Sequence, residues 1–157
     1  MIRFWKEKFL SLPCLICSSK DYILKHDRLR IFKSRPFKKF ADKEGIDNRR
    51  LCKIATKVNQ GEIDVNYGRG VIKQRIARKN EGKSGGYRAI IYYRKNDKIF
   101  FIYGFAKKDL ENIDEEQKNT FKKQGKLMLA LNDTQLMKLR LNGTFEEIKY
   151  HAQEAIV

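Results

Sequence analysis

The sequence predicts a small α+β domain in which an antiparallel-rich sheet packs with an N-terminal helical pair and a C-terminal helix. Three observations predict it: helical spacing of apolar residues between Ser34 and Gly61, three strand-like runs between Gly70 and Phe105, and a helix start at Asp114. A chain of 157 residues with 41% apolar residues has room for a single packed core. We therefore expect one folded domain.

The first 26 residues differ from the rest of the chain. A short apolar run from Phe9 to Cys17 follows three basic residues and contains Pro13. It resembles a weak signal peptide or an interfacial helix, but it is too short to span a bilayer and no clean cleavage site follows. We expect residues 1–26 to be an extension and residues 27–150 to form the domain, with no membrane association.

The domain is expected to begin with one strand and two helices. Leu29 and Ile31 alternate with basic residues, which predicts a half-buried strand. Helix-start and helix-stop residues then predict helices from Ser34 to Gly45 and from Asp47 to Gly61. The apolar stripes of these helices are Phe37, Phe40 and Ala41, and Leu51, Ile54, Ala55 and Val58.

Three strands are predicted next, and they are Gly70 to Ala77, Tyr87 to Arg94, and Lys98 to Phe105. The last is apolar on both faces, which is typical of a central strand. Asn96 and Asp97 are expected to join the last two strands in a tight hairpin. The glycine-rich loop from Lys79 to Gly86 lacks P-loop spacing and opens no helix, so nucleoside triphosphate binding is not expected.

The C-terminal part is expected to be helical. Asp114 and Gln117 form a capping-box pattern at the start of one helix. Asp133 can cap a shorter helix that Gly143 closes, and Phe145 to Tyr150 is a candidate edge strand.

Basic residues dominate the charge and cluster in one region. The chain has 35 Lys and Arg against 19 Asp and Glu, a formal net charge of +16. The segment from Arg69 to Lys95 holds nine basic residues and one acid, a net charge of +8. Tyrosines 67, 87, 92 and 93 lie in or beside this segment. Cations neutralise phosphates and aromatic rings stack on unpaired bases, which favours a nucleic-acid partner over an acidic protein or an anionic membrane surface.

Three cysteines do not form an even disulfide framework, and we expect a reducing cytoplasm. Cys14 and Cys17 form a C-x-x-C pair, but only His26 and Cys52 are further soft ligands nearby. Incidental thiols are therefore favoured over a zinc site, and no cofactor is expected.

The acid–base residues of common nucleases are missing from the basic segment. His26 and His151 lie outside it, and Glu81 is its one acid, which disfavours both a histidine pair and a two-metal site. Catalysis would have to use Lys, Arg and Tyr. Crowding by other cations would lower the pKa of a lysine there.

Arg88 is the first candidate for the site because a guanidinium at the start of an apolar strand is costly unless it faces a ligand. A surface arginine paired with a local acid is the alternative interpretation. If the preceding loop folds symmetrically, Arg75 lies opposite Arg88 on one face, with Lys73 one step further along. Lys107 and Lys108 follow the central strand, where functional groups often leave a sheet.

Three motifs resemble the RelE branch of the RelE/ParE toxin superfamily, particularly its HigB-like or phage-derived members. They are Gly70 to Arg78, Gly82 to Arg88, and Phe101 to Lys107, and the resemblance extends over about Leu29 to Gly143. It implies a RelE-like, microbial-ribonuclease-like fold. It also implies a toxin that cleaves mRNA as a metal-independent endoribonuclease, often in the ribosomal A site, until a cognate antitoxin binds it.

The resemblance also implies roles for individual residues. Arg88 looks like the central-strand arginine that engages RNA in the family. The expected catalytic set is Arg88, Arg75, Lys73, Lys107 and Lys108, and the expected RNA-binding set is Arg78, Lys83, Tyr87 and Arg94.

One departure concerns proton transfer. Some RelE toxins have a tyrosine after the last of these strands, but residues 109–116 contain none, so Tyr87 or a lysine becomes the candidate. Two rival functions stay open: a ParE-like toxin that acts on DNA gyrase, and a non-catalytic protein that binds RNA or the ribosome.

Overall fold

The structure is a computed structural model that describes residues 29–78, 85–107 and 113–149. Residues 1–28, which include Cys14, Cys17 and His26, lie outside the described residues. The helices are α1 (Arg35–Glu44), α2 (Asn48–Asn59), α3 (Glu115–Leu129) and α4 (Asp133–Leu141). The strands are β1 (Arg30–Ser34), β2 (Val65–Gly68), β3 (Val71–Ile76), β4 (Tyr87–Arg94), β5 (Lys98–Ala106) and β6 (Phe145–Ile148).

The six strands form one sheet in the order β2-β3-β4-β5-β1-β6. β1 runs parallel to β5, and every other pair is antiparallel. The predicted α+β class and antiparallel-rich sheet are confirmed. β5 is central, as its apolar residues predicted, because it lies between β4 and β1.

The two N-terminal helices cover one face of the sheet, which we call the α1/α2 face. Ser34 and Asp47 cap α1 and α2 by accepting hydrogen bonds from backbone amides, as predicted. Gly45 ends α1 at a φ of 65°, a left-handed conformation that glycine adopts readily. Phe37, Leu51, Val58, Ile72, Ile91 and Phe101 are among the buried residues of this layer.

The C-terminal helices cover part of the opposite face, which we call the α3/α4 face. Gly125 of α3 lies against Val71 and Tyr92, and a Cβ there would be 3.1 Å from both side chains. The Tyr92 hydroxyl donates to Oε1 of Gln124 over 3.1 Å, and burial raises the pKa of Tyr92 to about 12. Tyr92 is therefore part of the core under α3.

The prediction of a half-buried β1 is wrong. β1 is paired on both sides, and Ile31 and Phe32 are completely buried on its two faces. Even Lys33 is buried, and its ammonium reaches Oδ1 of Asn48 at 3.0 Å and Oε1 of Glu146 at 3.1 Å. Alternation of basic and apolar residues around Ile31 had predicted that one face of β1 is exposed to solvent. Arg30, however, is the first residue of the strand, and the residues that follow it are buried.

β2 was not predicted from the sequence. It has only four residues, two of them exposed, and its pairing with β3 shifts register between Asn66 and Gly68. Such a short edge strand has no period-2 apolar pattern.

β5 contains one extra residue. Its pairing with β4 shifts between Ile90, opposite Tyr103, and Ile91, opposite Phe101, so Ile102 is a bulge. Ser34 donates from its hydroxyl to the Ile102 carbonyl over 2.6 Å, and the same oxygen caps α1. Beyond the bulge the side chains change faces.

At Gly104, two residues after the bulge, the Phe40 side chain of α1 lies directly against the β5 backbone. A Cβ on Gly104 would overlap the ring of Phe40, which packs against the core on the α1/α2 face. The position therefore requires a residue without a side chain.

The Gly104→Ala substitution is expected to lower the free energy of unfolding by about 1–3 kcal/mol, because the new methyl must displace the Phe40 ring. Urea denaturation of the intact chain measures it. In a Phe40→Ala background the same substitution should cost much less. An equal cost in both backgrounds would show that Phe40 is not the obstacle.

Candidate nucleic-acid interface

Arg75 and Arg88 face each other across β3 and β4. The register places Arg75 opposite Arg88 and Lys73 opposite Ile90, so all three basic residues lie on the α3/α4 face, as predicted. Directly opposed residues in an antiparallel pair have Cβ atoms about 4.5–5.5 Å apart. We call Lys73, Arg75 and Arg88 the cationic face.

The cationic face lacks acidic partners. Within the described residues, no carboxylate lies within 4.0 Å of the charged groups of these three side chains. Asp64 accepts a hydrogen bond from the backbone amide of Arg75 over 2.6 Å. Nη1 of Arg88 donates over 3.2 Å to the carbonyl oxygen of Tyr87. Since opposed like charges destabilise a sheet, this arrangement favours an anionic ligand.

Several basic side chains elsewhere in the described residues do have acidic partners. Arg30 and Arg140 lie 2.8 and 2.9 Å from carboxylate oxygens of Glu147. Lys38 lies 2.5 Å from Glu146, and its hydrogen bond lowers the pKa of that carboxyl. The two glutamates of these pairs lie on β6, three strands away from β4 in the sheet.

The β5 bulge places Tyr103 next to the cationic face. It lies opposite Ile90 and is 46% exposed, although it belongs to the central strand. Phe105 lies opposite Arg88, and the rings of Tyr103 and Phe105 have centroids 6.0 Å apart. Strict alternation from Ile99 would have placed Tyr103 on the α1/α2 face. Tyr103 was therefore not predicted as a site residue.

Tyr67 and Lys118 extend this surface toward α3. Nζ atoms of Lys73 and Lys118 lie 5.8 and 5.4 Å from the centroid of the Tyr67 ring. A hydrogen bond from Lys118 to Glu115 raises the pKa of Lys118, which keeps this ammonium charged. Lys118 was not predicted from the sequence, because its proximity to β2 depends on how α3 packs.

Comparison with the models of known protein families identifies the family of the chain. The family model of the RelE toxin of the RelE / RelB toxin-antitoxin system matches residues 29–148. The chain belongs to the RelE toxin family. The match includes every strand and helix described above, so the predicted family is confirmed. No curated protein shows significant similarity to the chain.

The structure of this RelE-family toxin does not bring Tyr87 or Arg78 to the cationic face. Tyr87 is buried on the α1/α2 face. Its hydroxyl donates to Glu44, which raises the pKa of Tyr87, and accepts from Nε of Arg78 over 2.8 Å. The Arg78 guanidinium also lies 5.0 Å from the centroid of the Tyr87 ring. These contacts hold β4 against the end of α1.

Arg94 and Lys107 lie at opposite ends of the sheet. Arg94 is six residues along β4 from Arg88, about 20 Å away, and its Nη1 lies 3.5 Å from Asp97. Lys107 follows β5 directly, and its backbone amide donates to Gly86 over 3.3 Å, which places it at the Arg88 end. Lys83 and Lys108 lie outside the described residues.

Metal-binding groups and membrane-spanning helices are both absent from the described part of the toxin. Its His, Cys, Asp and Glu side chains form no group of three suited to holding a metal ion. None of its helices combines the length and hydropathy needed to cross a membrane.

Arg75→Gln is expected to stabilise the toxin at low ionic strength by about 0.2–1 kcal/mol, because it removes one of two opposed like charges. The gain should shrink as salt screens the repulsion. Urea denaturation at several salt concentrations measures it. Arg94→Gln is the matched control, since Arg94 has an acidic neighbour, and it should give no gain. A loss of stability in Arg75→Gln at low salt would contradict the proposed repulsion.

Proposed function

We propose that this chain is the toxin of a type II toxin–antitoxin system that cleaves mRNA at or on the ribosome and thereby inhibits translation in the cytoplasm. Membership of the RelE family supports the toxin and implies a cognate antitoxin. The observation that supports RNA as the substrate is the cationic face, where Lys73, Arg75 and Arg88 converge without an acidic partner among the described residues.

The proposed reaction uses the RNA itself as nucleophile and needs no metal. The 2′ oxygen bonds to phosphorus as the bond from phosphorus to the 5′ oxygen breaks. The products are a 2′,3′-cyclic phosphate and a 5′ hydroxyl. One proton leaves the 2′ hydroxyl and one reaches the 5′ oxygen. Negative charge grows on the non-bridging oxygens, and positioned guanidinium groups stabilise it.

The cationic side chains divide these tasks in the proposal. Arg88 contacts the scissile phosphate, since it lies between β3 and the central strand β5. Arg75 and Lys73 contact phosphates along β3, and Lys107, with Lys108 beside it in sequence, acts at the end of β5. Proton transfer is assigned to a lysine of this group, because Tyr87 is buried on the other face.

Arg88→Ala is expected to relieve growth arrest and to lower the rate of mRNA cleavage by about 10²–10³-fold, the usual effect of removing one donor to a developing charge. Primer extension on mRNA after brief induction measures the cuts. The proposal leaves Arg94 out of the expected RNA-binding set, because it lies beside Asp97 at the other end of β4, about 20 Å from Arg88. Arg94→Ala removes the same charge from the same strand, is therefore the matched control, and should leave cleavage nearly unchanged.

Primer extension and a gel assay of plasmid DNA from the same induced cells test the rival functions. Codon-phased cuts with the parent chain support the ribosome-associated nuclease. Intact mRNA with relaxed or cleaved DNA would instead indicate a gyrase-directed toxin. Arrest without damage to mRNA or DNA would indicate binding without turnover. Full cleavage activity in Arg88→Ala would remove Arg88 from the site.

A further inference from the structure

A cleft opens between the bulged part of β5 and the N-terminal half of α3, next to the cationic face. It has a volume of about 310 Å³ and is lined by Tyr103, Ile113, Glu116, Gln117, Thr120 and Phe121. Tyr103 is 46% exposed, an unusual degree for a tyrosine in a central strand.

The lining combines apolar walls with a polar edge. Tyr103, Ile113 and Phe121 provide the apolar surface. A heteroaromatic ring fits such a lining, because its apolar faces can pack on the apolar side chains and its edge can form hydrogen bonds with the polar ones. Nucleobases are ligands of this kind, and single-stranded RNA is commonly bound by stacking its bases on aromatic side chains.

The polar groups of the cleft are held in place by local hydrogen bonds. Oε1 of Gln117 accepts from the backbone amide of Asp114 over 3.3 Å, which leaves its amide hydrogens to donate. The Thr120 hydroxyl donates to the Glu116 carbonyl over 3.0 Å, which leaves its oxygen to accept. The Glu116 carboxylate adds an acceptor for an amino group. The edge therefore offers both donors and acceptors.

The cleft lies within reach of the proposed phosphate ligand of Arg88. Tyr103 is opposite Ile90, and Phe105 is opposite Arg88, so Arg88 and Tyr103 are diagonal neighbours on one face. Diagonal pairs lie about 7–8 Å apart. A nucleotide whose phosphate contacts Arg88 can therefore place its base against Tyr103.

We propose that this cleft binds one unpaired nucleobase of the RNA, with the base stacked on Tyr103. The proposal rests on RNA being the ligand of the cationic face. Arg88 then determines where the backbone lies, and Tyr103 with the α3 side chains contacts the base beside it.

The test compares two short RNA analogues that the toxin cannot cleave. One is a 2′-O-methyl tetranucleotide, and the other has the same backbone but no bases. NMR titration of the full chain gives Kd for each, including weak binding. The parent chain is expected to bind the RNA with bases about tenfold more tightly than the abasic one, the usual effect of stacking one base.

Variants separate the base from the phosphate contacts. Tyr103→Ala should remove the preference for bases and leave abasic binding unchanged, whereas Tyr103→Phe should keep the preference. Arg88→Ala should weaken both RNAs by similar factors. Thr120→Phe, at an exposed position of α3, should fill the cleft and also remove the preference, and amide spectra check that each variant is folded.

Equal Kd values for the two RNAs with the parent chain would overturn the proposal. So would Tyr103→Ala weakening both RNAs alike, because the ring would then support the backbone site only. Base-dependent binding by a chain that does not cleave mRNA would contradict the proposed nuclease function and support the nucleobase cleft. Cleavage of mRNA by a chain that binds both analogues equally would support the nuclease function and contradict the nucleobase cleft.

Discussion

The antiparallel register of β3 and β4 is the constraint on which the whole site depends. It sets Arg75 against Arg88 and keeps Val71, Lys73 and Arg75 on the face opposite Ile72 and Ile76. A slip of β3 by one residue would turn Lys73 and Arg75 toward α1 and α2 and would turn Ile72 and Ile76 toward the opposite face. Burial of Ile72 and Ile76 therefore stabilises the register that brings the like charges together, and packing energy offsets their repulsion.

The bulge at Ile102 is the second constraint, and it connects the N-terminal helix with the site. One Ser34 hydroxyl caps α1 and donates to the bulged carbonyl, while Gly104 gives Phe40 of α1 room against β5. The change of face after Ile102 puts glycine under the helix and Tyr103 on the open face. A feature that looks like a packing detail thus decides which aromatic ring can meet a ligand.

Local patterns were sufficient to predict most elements and the central pair of the site. The caps at Ser34, Asp47 and Asp114 depend on neighbouring residues, and the arginine pair depends only on loop symmetry. Tyr103 and Lys118 could not be predicted in this way. Their placement depends on a bulge and on α3 packing, which are tertiary features. Tyr87 was predicted to bind RNA but is buried on the α1/α2 face. This too is a tertiary feature, because Glu44 reaches the Tyr87 hydroxyl only when α1 has packed on the sheet.

The acids of the chain, which has a net charge of +16, are distributed unevenly over the sheet. Glu146 and Glu147 of β6 bind four basic side chains at the far edge of the sheet, from β1, α1 and α4. These pairs hold the edge strand β6 against β1. The cationic face, at the other side of β5, depends on apolar neighbours for its position, and Asp64 contacts the backbone amide of Arg75 there. Within the described residues, the ion pairs at the β6 edge and the opposed pair of Arg75 and Arg88 therefore lie in different halves of one sheet.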